Sequence, residues 1–168
     1  FRKSKNTARC YLLHKQWWSK FWQRSHLSIT ESQRLVKAQQ ATAHNDAFIV
    51  SRGYNLQRFI DACGGRGRYP IKFNGSIFTV PAKGKPGNAD YRRWGACYWW
   101  QNTRLPYTSM CMSGDFDLMK PLFRFYVDEI LPVNKFRTKK YFGIEGAYFL
   151  EMTSLWGTSP MGVYGWDK

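Results

Sequence analysis

The chain is 168 residues long, one domain's worth of sequence and enough for a sizeable core. It carries 26 Lys and Arg against 11 Asp and Glu, a formal net charge of +15, and 18% of its residues are aromatic. No run approaches the roughly 18 apolar residues of a membrane span, so no membrane partner is expected. Cys10, Cys63, Cys97 and Cys111 form no C-x-x-C pair, and His14, His26 and His44 have no zinc-ligand spacing. Buried free thiols are expected, with no metal and no cofactor. Phe1 is followed by no charged-then-apolar leader, an absence that a fragment boundary would also produce.

In chain order, residues 1–30 hold seven Lys/Arg and no acid, the first carboxylate being Glu31. Such a basic stretch fits nucleic acid or an acidic polysaccharide, but no nucleic-acid motif accompanies it, so nucleic acid is not favoured as partner. Residues 7–24 read as an amphipathic helix: Cys10, Leu13, Trp17 and Phe21 recur at three- and four-residue steps, with Trp18 and Trp22 widening the stripe. Thr30-Glu31-Ser32-Gln33 has the form of a capping box for a helix running to about Cys63, with a break near His44-Asn45-Asp46. Ile49, Leu56, Ile60 and Cys63 keep the helical spacing, beside Tyr54 and Phe59, and Gly64-Gly65 is the stop. Gly64-Gly65-Arg66-Gly67-Arg68 follows a helix and lacks a Gly-Lys-Ser/Thr ending, so it reads as a connector rather than a phosphate loop. A β-hairpin is expected around Asn74-Gly75, flanked by Ile71-Lys72-Phe73 and residues 76–80.

The stretch Trp94–Leu105 organises the rest. Trp94, Tyr98, Trp99 and Trp100 lead into Gln101, Asn102 and Arg104. Read as a helix to about Met112, kinked at Pro106, it sets Trp94, Tyr98 and Gln101 on one stripe and Cys97, Trp100 and Arg104 on the next. Flat rings edged with amide and guanidinium groups suit a sugar, which has apolar C–H faces and a hydroxyl rim. Aromatic helices also simply fill cores. A further helix is expected after Ser113-Gly114-Asp115, its apolar face running from Leu118 to Ile130 and Pro132 ending it. Residues 133–168 read as loop with one short helix around Tyr148–Leu155.

Taken together, Ile71-Lys72-Phe73-Asn74-Gly75, Asp90-Tyr91-Arg92-Arg93-Trp94, Trp99-Trp100-Gln101-Asn102-Thr103-Arg104, Ser113-Gly114-Asp115-Phe116-Asp117, Tyr141-Phe142-Gly143-Ile144-Glu145-Gly146 and Leu155-Trp156-Gly157 resemble a bacterial family of glycoside-hydrolase-like proteins. That family is similar to the inverting alpha-L-fucosidases built on an (alpha/alpha)6 barrel. The resemblance covers most of residues 7–168 and implies a secreted or periplasmic carbohydrate-active protein, of which this chain is a piece. It puts on Asn102 the role of holding the nucleophilic water, and puts Trp156 at the border of the same pocket. It also implies a general acid beyond the position of Lys168. Trp100 stands where the fucosidases carry a second asparagine, so the resemblance does not extend to fucose specificity.

Inverting hydrolysis needs two carboxyl groups about 6.5–9.5 Å apart. Asp115 and Asp117 look like helix-start residues, and Asp128 and Glu129 like a solvated helix face. Asp90, Glu145 and Glu151 lie among aromatics and glycines, where packing against rings raises a carboxyl pKa; ion pairs with Arg92, Arg93 or Lys140 are the alternative. The expected molecule is mainly α, residues 1–168 forming a single domain or part of an (alpha/alpha)6 barrel with one β-hairpin. Asn102, Glu145 and Glu151 are the candidate catalytic residues. Trp94, Trp99, Trp100, Gln101, Arg104, Lys72, Asn74, Asp90 and Trp156 are the candidate carbohydrate-binding residues. A basic, non-catalytic module for nucleic acid or acidic polysaccharide is the alternative, and self-association is compatible with either.

Overall fold

The computed structural model describes residues 6–30, 46–72, 84 and 97–158. Helices dominate, and a two-stranded antiparallel sheet accompanies them. Helix α1 spans Thr7–Arg24, with the Asn6 side chain accepting the Arg9 N–H at 3.3 Å as its N-terminal cap. Its expected stripe is buried only at the C-terminal end. Phe21 is buried and Trp17, Trp18 and Trp22 pack around it, whereas Cys10 and Leu13 are exposed. The four rings interlock, Trp17 stacking on Phe21 at 5.3 Å and Trp18 meeting Trp22 at 6.1 Å.

Helix α2 spans Asp46–Gly64 and ends at the glycine pair as its sequence predicts. Its buried face differs from the expected one. Ile49, Leu56 and Phe59 are exposed, and the buried residues are Arg58, Asp61 and Ala62. The reason is an ion pair: Arg58 is drawn inward to meet Asp115, and its guanidinium lies 4.2 Å from the Phe21 ring centroid. Of the expected capping box, Glu31, Ser32 and Gln33 lie outside the described residues. Asn74-Gly75 does too, although Ile71 just before it is buried and donates its N–H to the Tyr107 hydroxyl at 2.7 Å.

The expected helix from Trp94 through Met112 is broken up. Tyr98–Trp99 is strand β1, pairing antiparallel with β2 (Met152–Thr153) in the register Tyr98–Thr153 and Trp99–Met152. Only then do α3 (Trp100–Thr103) and α4 (Leu105–Ser113) follow, divided at Arg104. Pro106 sits in the first turn of α4, where a missing N–H costs nothing. Backbone pairing to a distant strand has thus overridden the helical spacing, and Trp94 lies outside the described residues.

Gly114 closes α4 in the left-handed conformation (φ 71°), and α5 (Phe116–Arg124) begins after Asp115. Pro132 was expected to end this helix and does not. A π segment, Phe125–Ile130, leads straight into α6 (Leu131–Phe142). The Leu131 N–H reaches back five residues to the Tyr126 carbonyl, so the hydrogen-bond ladder slips by one just before the proline. A slipped ladder absorbs the N–H that Pro132 lacks, and the axis continues. The short helix expected around Tyr148–Leu155 is absent; that stretch has no helix and contains β2. Thr138 and the β1 strand supply its backbone partners instead. Two apolar clusters result. Phe21, Ala62, Ile71, Tyr107, Met110, Leu118 and Leu122 form one, and Tyr98, Phe125 and Ile130 the other, with Tyr126 touching both.

Candidate functional site

The β1–β2 pair brings part of the expected constellation together. Trp99 faces Met152, and the Trp100 N–H donates to the Glu151 carbonyl at 2.7 Å. Trp100 is 43% exposed and stands edge-to-face on Tyr126, centroids 5.3 Å apart; Phe149 flanks Tyr126 at 6.3 Å. The result is a three-ring array at whose edge Gln101, Asn102 and Arg104 follow within α3 and its end. Gln101 and Arg104 are exposed and Asn102 is half-buried. Arg104 Nε donates to the Gln101 carbonyl at 3.4 Å. Lys72 joins from the other side, its Nζ donating to the Cys97 carbonyl and lying 4.5 Å over the Tyr98 ring. Burial holds the phenols of Tyr98 and Tyr126 at about 12, so both remain protonated hydroxyls at neutral pH.

The carboxylates are arranged differently from expectation. Glu145 is not packed against rings: its side chain is 82% exposed and pairs with Lys139 at 2.5 Å. Gly143 in the left-handed conformation turns the chain out of α6 before it reaches Glu145, which explains that exposure. Glu151 is also exposed, but the strand pair sets it beside Trp100. Trp156 is 76% exposed, its N–H accepted by Ser154 Oγ at 3.1 Å. Asn74 and Asp90 lie outside the described residues, as Trp94 does. Of the thiols, only Cys97 is buried; Cys63 is half-buried, and Cys10 and Cys111 are exposed, against the expectation of buried cysteines.

Two buried carboxylates escaped the sequence reading. Asp115, expected as a helix-start residue favoured by the dipole, makes no capping hydrogen bond. It is gripped through both oxygens by Arg58 Nε and Nη2 at 2.9 Å each, by Arg24 Nη2 at 2.9 Å and by Ser113 Oγ at 2.6 Å. Asp61 is only 2% exposed and accepts from Gln57 Nε2 at 2.9 Å. Burial pushes its carboxyl up to about 7, the Gln57 bond opposes this, and the neighbouring Asp115 adds to it. Arg58 and Asp61, three apart inside an apolar helix pattern, were the signal for this pair. Both carboxylates serve the packing of α2 against α1 and α5 rather than an open cleft.

Two concavities stand out among the described residues. The first, about 440 Å³, lies between the Gly65–Tyr69 turn and α5 with the π segment. Arg66, Arg68, Lys120 and Arg124 line it together with Asp117, Asp128 and Glu129. Arg68 is paired with Glu129 at 2.8 Å, Asp117 with Arg24 at 2.5 Å, and Arg66 sits 4.1 Å over Trp17. The sequence read this turn as a plain connector; its arginines instead wall a cleft. The second, about 490 Å³, is a mostly apolar groove between α6 and the segment 148–150. No group of three or more His, Cys, Asp or Glu able to hold a metal occurs among the described residues. No helix among them is long and apolar enough to cross a membrane.

Comparison with family models, with curated proteins and with solved structures yields no match to this chain. The class is therefore carried by the chemistry of the site.

Proposed function

We propose that the chain forms part of the glycan-binding face of a glycoside hydrolase of the (alpha/alpha)6 kind, one that works outside the cytoplasm. The observation that carries this reading is the half-exposed Trp100, braced edge-on by Tyr126 and followed within one turn by Gln101, Asn102 and Arg104. A braced ring offers stacking area with little entropy left to lose, and the polar groups after it meet hydroxyls. In this reading Asn102 orients the attacking water. Glu151, next to Trp100 through the strand pair, is the better candidate carboxylate, since Glu145 is committed to Lys139 in solvent.

The test is calorimetric titration with a panel of neutral oligosaccharides, together with turnover of a cleavable glycan by the longer enzyme. Trp100→Ala should weaken binding by about tenfold, roughly 1.4 kcal/mol. Asn102→Ala should leave affinity nearly unchanged and lower turnover by roughly ten- to a hundred-fold. Unchanged affinity in Trp100→Ala would assign that ring to packing and end the proposal. A second reading, a non-catalytic module for a polyanion, is favoured by the arginine-walled cleft at Gly65–Tyr69. Its mark would be affinity that falls steeply with salt.

A further inference from the structure

We propose that the groove along α6 is a second pyranose subsite, with the sugar ring against Tyr148 and Phe142 and its hydroxyls met by Asn134 and Arg137. This rests on the reading of the chain as a glycan binder and adds a site that the aromatic segment does not contain.

The segment after Gly146 runs without helix into β2, and its side chains part to two sides. Phe149 turns toward Tyr126 and thus toward Trp100, whereas Tyr148 and Leu150 line the groove. One ribbon therefore separates two faces. Tyr148 is anchored by its backbone, its N–H donating to Thr138 Oγ1 at 2.7 Å, while that hydroxyl donates to the Asn134 carbonyl at 2.7 Å. The Tyr148 ring meets Phe142 in a T-shaped contact at 6.1 Å.

The polar groups point to the ligand. Asn134 is only 2% exposed and lines the groove, yet its side-chain amide makes no hydrogen bond to another described residue. Buried amides are nearly always bonded, so a donor–acceptor pair left open toward a groove asks for an occupant that can do both. Arg137 spends one nitrogen on the Gly157 carbonyl and keeps further N–H groups for a ligand oxygen. A purely apolar ligand would leave both groups desolvated and unpaired. A polyphosphate would find one cation. A pyranose has the apolar face and the hydroxyl rim together, and about 490 Å³ lies within the range of small-molecule sites. A uronic acid would share this fit and add a carboxylate for the Arg137 fork.

Ligand-observed saturation-transfer NMR and calorimetry on the intact chain test this, using methyl glucopyranoside and galacturonate as separate probes. Tyr148→Ala, an exposed position, and Asn134→Ala should each weaken the probe that binds by about tenfold or more, with circular dichroism unchanged for Tyr148→Ala. Trp100→Ala should leave that binding in place. Loss in Trp100→Ala with full binding in Tyr148→Ala would remove the second subsite and leave the glycan-binding reading standing. No binding of either probe to the wild-type chain would overturn both. Galacturonate binding alone would name Arg137 as the anchor; glucoside binding alone would name Asn134.

Discussion

Asp61 is the residue whose chemistry can be read most directly. Its carboxyl, pushed up to about 7 by burial, is protonated in the folded chain at pH values where the unfolded chain has already lost the proton. The folded state then binds more protons, so this group's contribution to stability is full at acid pH and declines as pH rises from about 4 through about 7. Asp61→Asn keeps the shape and removes the titration. Its chemical-denaturation midpoint should exceed that of the wild type at pH 8, and the difference should vanish near pH 4. Equal midpoints at pH 8 would place Asp61 in contact with water. Asp115 has two guanidinium groups and a hydroxyl on its oxygens, and deleting Arg58 would leave it with Arg24 as its one cation, at a cost of up to about 3–5 kcal/mol.

At the scale of elements, the end of α2 illustrates how a backbone contact fixes a glycine. A Cβ on Gly65 would lie 2.7 Å from the Asp61 carbonyl oxygen, which Gly65 N–H already contacts at 2.7 Å, whereas a Cβ on Gly67 would meet nothing. Gly65→Ala should therefore lower stability by about 1–3 kcal/mol, and Gly67→Ala should be close to neutral. Thermal unfolding of the two variants makes the comparison; equal melting temperatures would show that the turn relaxes freely. The same elements show what a sequence can reveal. The span of α1 and the ends of α2 and α4 were legible because ring spacing and Gly-Gly or Ser-Gly-Asp signals are local. The β1–β2 pair was not, since Tyr98 and Trp99 find their partners far along the chain and two residues carry no alternation. Continuation of the helix through Pro132 was hidden because a proline reads as a stop unless the ladder slips. For the candidate site, Trp100 and Asn102 were legible as residue types, while the exposure of Glu145 and the open amide of Asn134 depend on tertiary packing that no spacing encodes.

For the molecule as a whole, charge and apolar surface make competing demands. The net charge of +15 favours encounter with polyanions and opposes self-association at low salt. Yet Tyr11, Leu12 and Leu13 on α1 and Phe48, Ile49 and Val50 on α2 are exposed. Apolar faces of this kind associate once salt screens the repulsion, since the Debye length falls to about 10 Å at 0.1 M. Sedimentation velocity should show a shift toward larger species as salt and protein concentration rise, and Leu12→Glu with Leu13→Glu should suppress it. A single slow species under all conditions would show that these faces stay apart.

The π segment sets a phase. One surplus residue in a turn rotates everything after it by about 100° relative to an uninterrupted helix. It is that rotation which directs Asn134 and Thr138 toward the ribbon carrying Tyr148. The same turn carries Tyr126, the ring that braces Trp100. That single surplus position thus serves as the clock hand of this helix: moving it by one residue would turn one of the two proposed faces away while leaving the other in place.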